Sequence, residues 1–184
     1  MAHRYCSAVG RTAATAAGGM HGFSVALTSF IGRAGPVLEV AGLLVERRLV
    51  TVTGPGGSGK TRLAGEVAGR VAGRFADGAW LVELAAVLDP LQVPAVVAVA
   101  LGVREQPGSA VVDVLARVLA RHEALLVLDN CEHLIGAVAE LCVGLLPAAD
   151  EVTILATSRE PLAVAGEARY RLVARIVTLS LIHI

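Results

Sequence analysis

Lysine is almost absent from this 184-residue chain: arginine supplies fifteen of the sixteen basic residues, and one lysine remains. Basic and acidic residues balance at sixteen each, with no basic run. Direct nucleic-acid contact by this segment is therefore not expected, since such binding depends on neutralising phosphates. Long apolar runs are missing too. Hydrophobic residues make up 55% of the chain, yet no uninterrupted stretch reaches the roughly 20 residues that a membrane helix needs. The runs at 93–101 and 124–128 read as core, and no membrane association is expected. The first residues lack the apolar run of a signal peptide. The three cysteines, Cys6, Cys131 and Cys142, have neither an even count nor metal-ligand spacing. They read as reduced thiols of a cytoplasmic protein, with Cys142 packed in a helix.

The one lysine, Lys60, stands in Gly54-Pro55-Gly56-Gly57-Ser58-Gly59-Lys60-Thr61. Gly54, Gly59, Lys60 and Thr61 meet the phosphate-loop pattern G-x-x-x-x-G-K-[ST] in full. Glycines let such a loop turn tightly and aim N–H groups at phosphate oxygens, and the helix that follows adds partial positive charge. The Lys ammonium reaches the β/γ-phosphates, and the Thr hydroxyl is a Mg²⁺ ligand. A chance glycine-rich turn would match the same letters, but the flanks argue otherwise. Leu49–Thr53 is apolar and β-branched, as a buried strand should be. Leu63, Val67 and Val71 then recur at helical spacing, with Arg62, Glu66 and Arg70 on another side. Gly65 and Gly69 weaken that helix.

Five strand candidates alternate with helical patterns: Leu49–Thr53, Ala79–Leu84, Ala124–Asp129, Val152–Thr157 and, more weakly, Arg169–Val173. Helical patterns fall at about 36–47, 61–73, 91–101, 109–121 and 133–146. This alternation is the signature of an α/β fold with a parallel sheet, long enough to bury one core. Residues 1–27 show no periodicity and are expected to be a disordered leader. Residues 28–173 form the folded domain, and 174–184 a truncated tail. Leu179-Ser180-Leu181-Ile182-His183-Ile184 reads as the translation of a sequencing adapter.

Two further segments belong at the carboxyl edge of the sheet, where parallel α/β folds place their ligand crevice. Leu125–Leu128 is an apolar strand that ends in Asp129, positioned to hold Mg²⁺. The competing reading is an Asp that caps the next helix. Asn130 can orient a water but cannot take its proton. Glu132 and His133 are candidates for a base, and each equally reads as a solvated first-turn residue. Arg159 follows the next strand in Ala156-Thr157-Ser158-Arg159. It reads as a γ-phosphate sensor, or alternatively as a surface Arg paired with Glu160.

The segments SFIGR at 29–33, GPGGSGKTRLA, FADGAWLVELA, LLVLDNCEHL and ILATSREPLAVAGEARYRL resemble the NB-ARC-like ATPase module of signal-transduction ATPases with numerous domains (STAND). The likeness is greatest to the version in large bacterial transcriptional regulators of the AfsR/SARP and LuxR-type groups. It covers about residues 28–173. The resemblance implies a P-loop NTPase three-layer sandwich with strand order 5-1-4-3-2, and an ATP/ADP switch with slow hydrolysis. By the same likeness Ile31 and Arg33 flank the adenine or ribose. Gly56, Gly57, Ser58, Gly59, Lys60, Thr61 and Arg62 wrap the phosphates, Asp129 is the Mg²⁺-side acid, and Arg159 is the sensor. Ordinary core packing for Ile31 and a surface charge for Arg33 are the alternatives. The chain departs from the family at Ala34, where Glu is usual, and at Ala174–Thr178, where a Pro-containing stretch is expected. The implied partners are a winged-helix lid, a repeat array and a DNA-binding domain of the full-length protein, together with ATP-dependent homo-oligomers. Other readings of the same motifs are a stand-alone P-loop ATPase or kinase, and a non-functional fragment.

Overall fold

A computed structural model of the chain describes residues 19–23, 34–104 and 106–173. Its strands are β1 (Met20–His21), β2 (Leu49–Thr53), β3 (Ala79–Glu83), β4 (Leu125–Asp129), β5 (Thr153–Ser158) and β6 (Ala168–Arg171). The α-helices are α1 (Ala34–Glu46), α2 (Lys60–Val71), α3 (Val93–Ala100), α4 (Val111–Leu119) and α5 (Ile135–Leu145). All strand pairs are parallel, in the order β1-β3-β4-β5-β2-β6. The five expected strands thus lie in the order 5-1-4-3-2, and β1 adds a sixth at one edge.

Alternation along each strand builds the three layers. Val50, Val52, Leu125, Val127 and Leu155 pack under α1 and α2 with Val40, Leu63 and Val67. Leu126, Leu128, Ile154 and Ala156 face the other way, against α3, α4 and α5 through Val97, Leu115, Val138 and Leu141. A central parallel strand covered on both faces reads as a continuous apolar run, which is why Leu125–Leu128 shows no polar alternation. Arg48 ties the far end of the sheet to α5: its Nη1 donates to the carbonyls of Leu146 at 2.8 Å and Ala149 at 2.9 Å.

The expected disordered leader is corrected at its end. Met20 and His21 pair with Ala79 and Trp80 of β3, and the His21 ring stacks on Trp80 at 3.8 Å between centroids, 13° from parallel. Two residues carry no readable period, so local sequence could not announce this strand. The last strand begins and ends earlier than expected, at Ala168–Arg171. The helix expected from 133 starts instead as a 3-10 turn, Cys131–His133, before α5. Ile31, Arg33, Cys6 and the tail from 174 lie outside the described residues. Among the described residues no helix is long and apolar enough to cross a membrane.

Candidate nucleotide-binding site

The loop after β2 turns back over the start of α2. At Gly54 a Cβ would stand 2.6 Å from the Leu172 carbonyl oxygen, so only glycine lets the end of β6 pass this close. Gly57 and Gly59 take φ of 72° and 87°, in the left-handed region that favours glycine. Gly59 is the N-cap of α2, and no side chain caps that helix start. The first turn of α2 also carries no acidic residue. The partial positive charge of the helix start is thereby left for an anion.

Lys60 is buried at the base of the loop, where its Nζ donates to the carbonyls of Gly54 at 2.9 Å and Pro55 at 3.1 Å. The next residue, Thr61, points its hydroxyl at the last residue of β4. Thr61 Oγ1 lies 3.0 Å from Asp129 Oδ1 and 2.9 Å from Oδ2. Asp129 is 1% exposed, and a buried carboxylate demands donors. It has them: the Thr157 hydroxyl donates to Oδ1, and Asn130 Nδ2 donates to Oδ2 at 2.9 Å. The reading of Asp129 as a helix cap is therefore set aside, since no side chain caps the turn or the helix that follows.

Asn130 adopts a left-handed conformation, φ 61° and ψ 50°, which Asn tolerates better than most residues. Its N–H donates to Thr157 Oγ1 at 3.0 Å. Thr157 thus bridges the Asp129 side chain and the Asn130 backbone, a role that sequence reading missed. Thr157 is one of three hydroxyl residues in β5, with Thr153 and Ser158, so its type gave no signal, and only the pairing of β4 with β5 shows what it meets.

Arg159, just beyond β5, lies on the same rim. Its guanidinium packs beside Gly56, where a Cβ would stand 3.4 Å from Nη2. Its ion-pair partner is Glu132 rather than Glu160: Nε lies 3.4 Å from Glu132 Oε1. His133 turns away to Val87, with Nε2 2.8 Å from that carbonyl oxygen. Behind the site Cys131 is buried, its Sγ 3.3 Å from the Leu128 carbonyl. Burial, with Cys142 and Asp129 nearby, pushes the Cys131 thiol far above its ordinary range.

Hydroxyl and carboxylate oxygens set side by side at Thr61 and Asp129 form the hard donor set that suits Mg²⁺. The glycine loop, the uncapped helix start and Lys60 suit a polyphosphate. Fold and loop together define a P-loop NTPase fold. Residues 34–180 match the family described as the NB-ARC domain, and the chain belongs to that family.

The chain is also similar to named mycobacterial relatives and to solved structures. A Mycobacterium tuberculosis protein provisionally named as an HTH-type transcriptional regulator is 47% identical over 136 residues, 74% of this chain and 15% of its own length. An uncharacterized M. tuberculosis protein is 43% identical over 145 residues, 79% of this chain and 37% of its own. The chain thus spans well under half the length of these relatives. A Pyrococcus horikoshii STAND protein with a tetratricopeptide repeat sensor aligns with TM-score 0.55 and 16% identity, over 81% of this chain and 24% of that one. Cdc6p from Pyrobaculum aerophilum aligns with TM-score 0.56 and 13% identity, over 78% and 46%. At such identities these two likenesses concern the fold alone.

Proposed function

We propose that this chain is the ATP/ADP-binding switch module of a bacterial, cytoplasmic transcriptional regulator, with hydrolysis slow enough to act as a timer. The observation that carries the reading is the convergence of Lys60, Thr61, Asp129 and Arg159 on one rim of the sheet. Gly54, Gly56, Gly57, Ser58, Gly59 and Arg62 would complete the phosphate cradle. Thr61 and Asp129 would hold Mg²⁺, which neutralises phosphate charge when bound. Lys60 would exchange its two loop carbonyls for phosphate oxygens, and Asn130 would keep Asp129 oriented through its 2.9 Å bond. The regulatory role rests on the mycobacterial relative's name and its greater length. Lid, repeat and DNA-binding domains, and ATP-dependent homo-oligomers, belong to the full-length protein in this account. A switch needs a group that interacts differently with the two nucleotides, and Arg159 is that group.

Limited proteolysis with and without Mg-ATP or Mg-ADP tests this reading. Protection by both nucleotides with slow turnover supports a switch. Fast multiple turnover would make the chain a productive ATPase, and the absence of any nucleotide-dependent protection would remove the reading.

A further inference from the structure

Among the described residues Glu132 is the carboxylate that pairs with Arg159, and its environment is unbalanced. Oε1 pairs with Arg159 Nε at 3.4 Å. Oε2 is buried and finds no hydrogen-bond partner among the described residues. An ionised carboxylate with one buried oxygen unsatisfied is costly, so Glu132 depends on Arg159 for its compensation. Arg159 depends less on Glu132: its side chain is 65% exposed and keeps its remaining guanidinium donors beside Gly56. A guanidinium fork binds carboxylate and phosphate by the same geometry.

We propose that Glu132 sets the nucleotide preference of the site by competing with a terminal phosphate for Arg159. The proposal rests on the nucleotide-binding reading above and deepens it. A nucleoside diphosphate brings no third phosphoryl group and leaves the Arg159–Glu132 pair intact. A triphosphate must share or displace Arg159, and the Glu132 carboxylate is then left half-buried without its partner. Glu132 therefore biases the module toward the diphosphate. The bias is relieved when Arg159 is held elsewhere or when Glu132 loses its charge.

The test is a calorimetric titration of the whole chain with Mg-ADP and with the imido analogue of Mg-ATP, which is not hydrolysed. Glu132→Gln keeps shape and removes charge. It is expected to raise analogue affinity relative to ADP by about tenfold, or about 1.4 kcal/mol. ADP affinity should stay within about threefold, which also reports that the variant is folded. In an Arg159→Ala background the same substitution is expected to shift the ratio by less than about twofold. An unchanged ratio in Glu132→Gln would overturn the proposal even if hydrolysis slowed, because that result assigns Glu132 to a catalytic step. A tenfold gain that persisted without Arg159 would overturn it too, since simple repulsion would then explain the bias. If wild type bound neither nucleotide, the nucleotide reading itself would fall, a result distinct from both.

Discussion

The Thr61 hydroxyl, on the first turn of α2, bonds both carboxylate oxygens of Asp129, which stands 68 residues further along the chain. That contact fixes the start of α2 to the carboxyl end of β4 and brings two Mg²⁺-type donors together. Around it, Thr157 and Asn130 occupy the rest of the carboxylate. The cluster is therefore structural and functional at once, and the two roles can be separated experimentally.

Asp129→Ala removes the acceptor for Thr61, Thr157 and Asn130 and leaves buried donors unpaired. It should cost about 2–4 kcal/mol of stability. Thr61→Ala removes one donor and should cost about 1 kcal/mol, yet both variants should lose the Mg²⁺ dependence of nucleotide binding. Urea unfolding alongside titrations with and without Mg²⁺ checks the pair. Equal losses of stability would show that Asp129 is held by Thr61 alone.

Gly54 tests the loop geometry. Gly54→Ala places a Cβ 2.6 Å from the Leu172 carbonyl oxygen, a backbone atom that cannot rotate away. The end of β6 must shift, at a cost of about 1–3 kcal/mol. Gly65→Ala meets nothing within 4 Å and should stabilise the chain by about 0.5–1 kcal/mol through helix propensity. Opposite shifts in thermal midpoint are expected, and a neutral Gly54→Ala would contradict the close approach.

How much of this was readable beforehand depends on whether a feature is local. The phosphate loop is eight consecutive residues, so Gly54 to Thr61 declared itself. The apolar run closed by Asp129 did so too. The pairings of Thr157 and Glu132 did not, because their partners, Asp129 and Arg159, are fixed by strand register and by the path of the Cys131–His133 turn. Glu160, next to Arg159 in sequence, was the natural partner to expect. Its backbone N–H instead meets the Ser158 hydroxyl at 3.3 Å. Met20–His21 escaped notice because its support is tertiary: strand pairing and one stacked ring.

Glu167 organises the loop before β6. Its carboxylate accepts from the N–H groups of Leu162 at 2.8 Å and Ala163 at 3.1 Å, and from Arg169 Nε at 2.9 Å. Burial opposes ionisation, but the hydrogen bonds from Leu162 and Arg169, with the Arg169 charge, hold the carboxyl below its ordinary value of 4.5. A depressed carboxyl contributes stability that is full above the unfolded-state value and is lost as pH falls through the folded one. Glu167→Gln should therefore be less stable at pH 7 by about 1–2 kcal/mol, with the gap closing below about pH 4.5. Denaturant melts across pH 3–7 check it, and a gap that widened in acid would reverse the sign.

Cys131 and Cys142 report on the core. Burial foremost, with Glu167 nearby, pushes the Cys142 thiol up to about 12, and the Cys131 thiol lies higher still. Neither forms appreciable thiolate at pH 8. In a Cys6→Ser variant, a disulfide reagent should modify them only at the rate of unfolding. Fast labelling of the native chain would show that the α5 side of the core is open.

Lys60 carries the central claim. Buried against the Gly54 and Pro55 carbonyls, it is the only lysine in the chain and the one cation inside the loop. Calorimetric titration of wild type and Lys60→Ala with Mg-ADP is the direct measurement. Saturable one-to-one binding in wild type, weakened by about a hundredfold or more in the variant at similar thermal midpoint, is the result expected. Wild-type and Lys60→Ala chains with the same ADP affinity, or a folded wild type that binds no nucleotide at millimolar concentration, would contradict it.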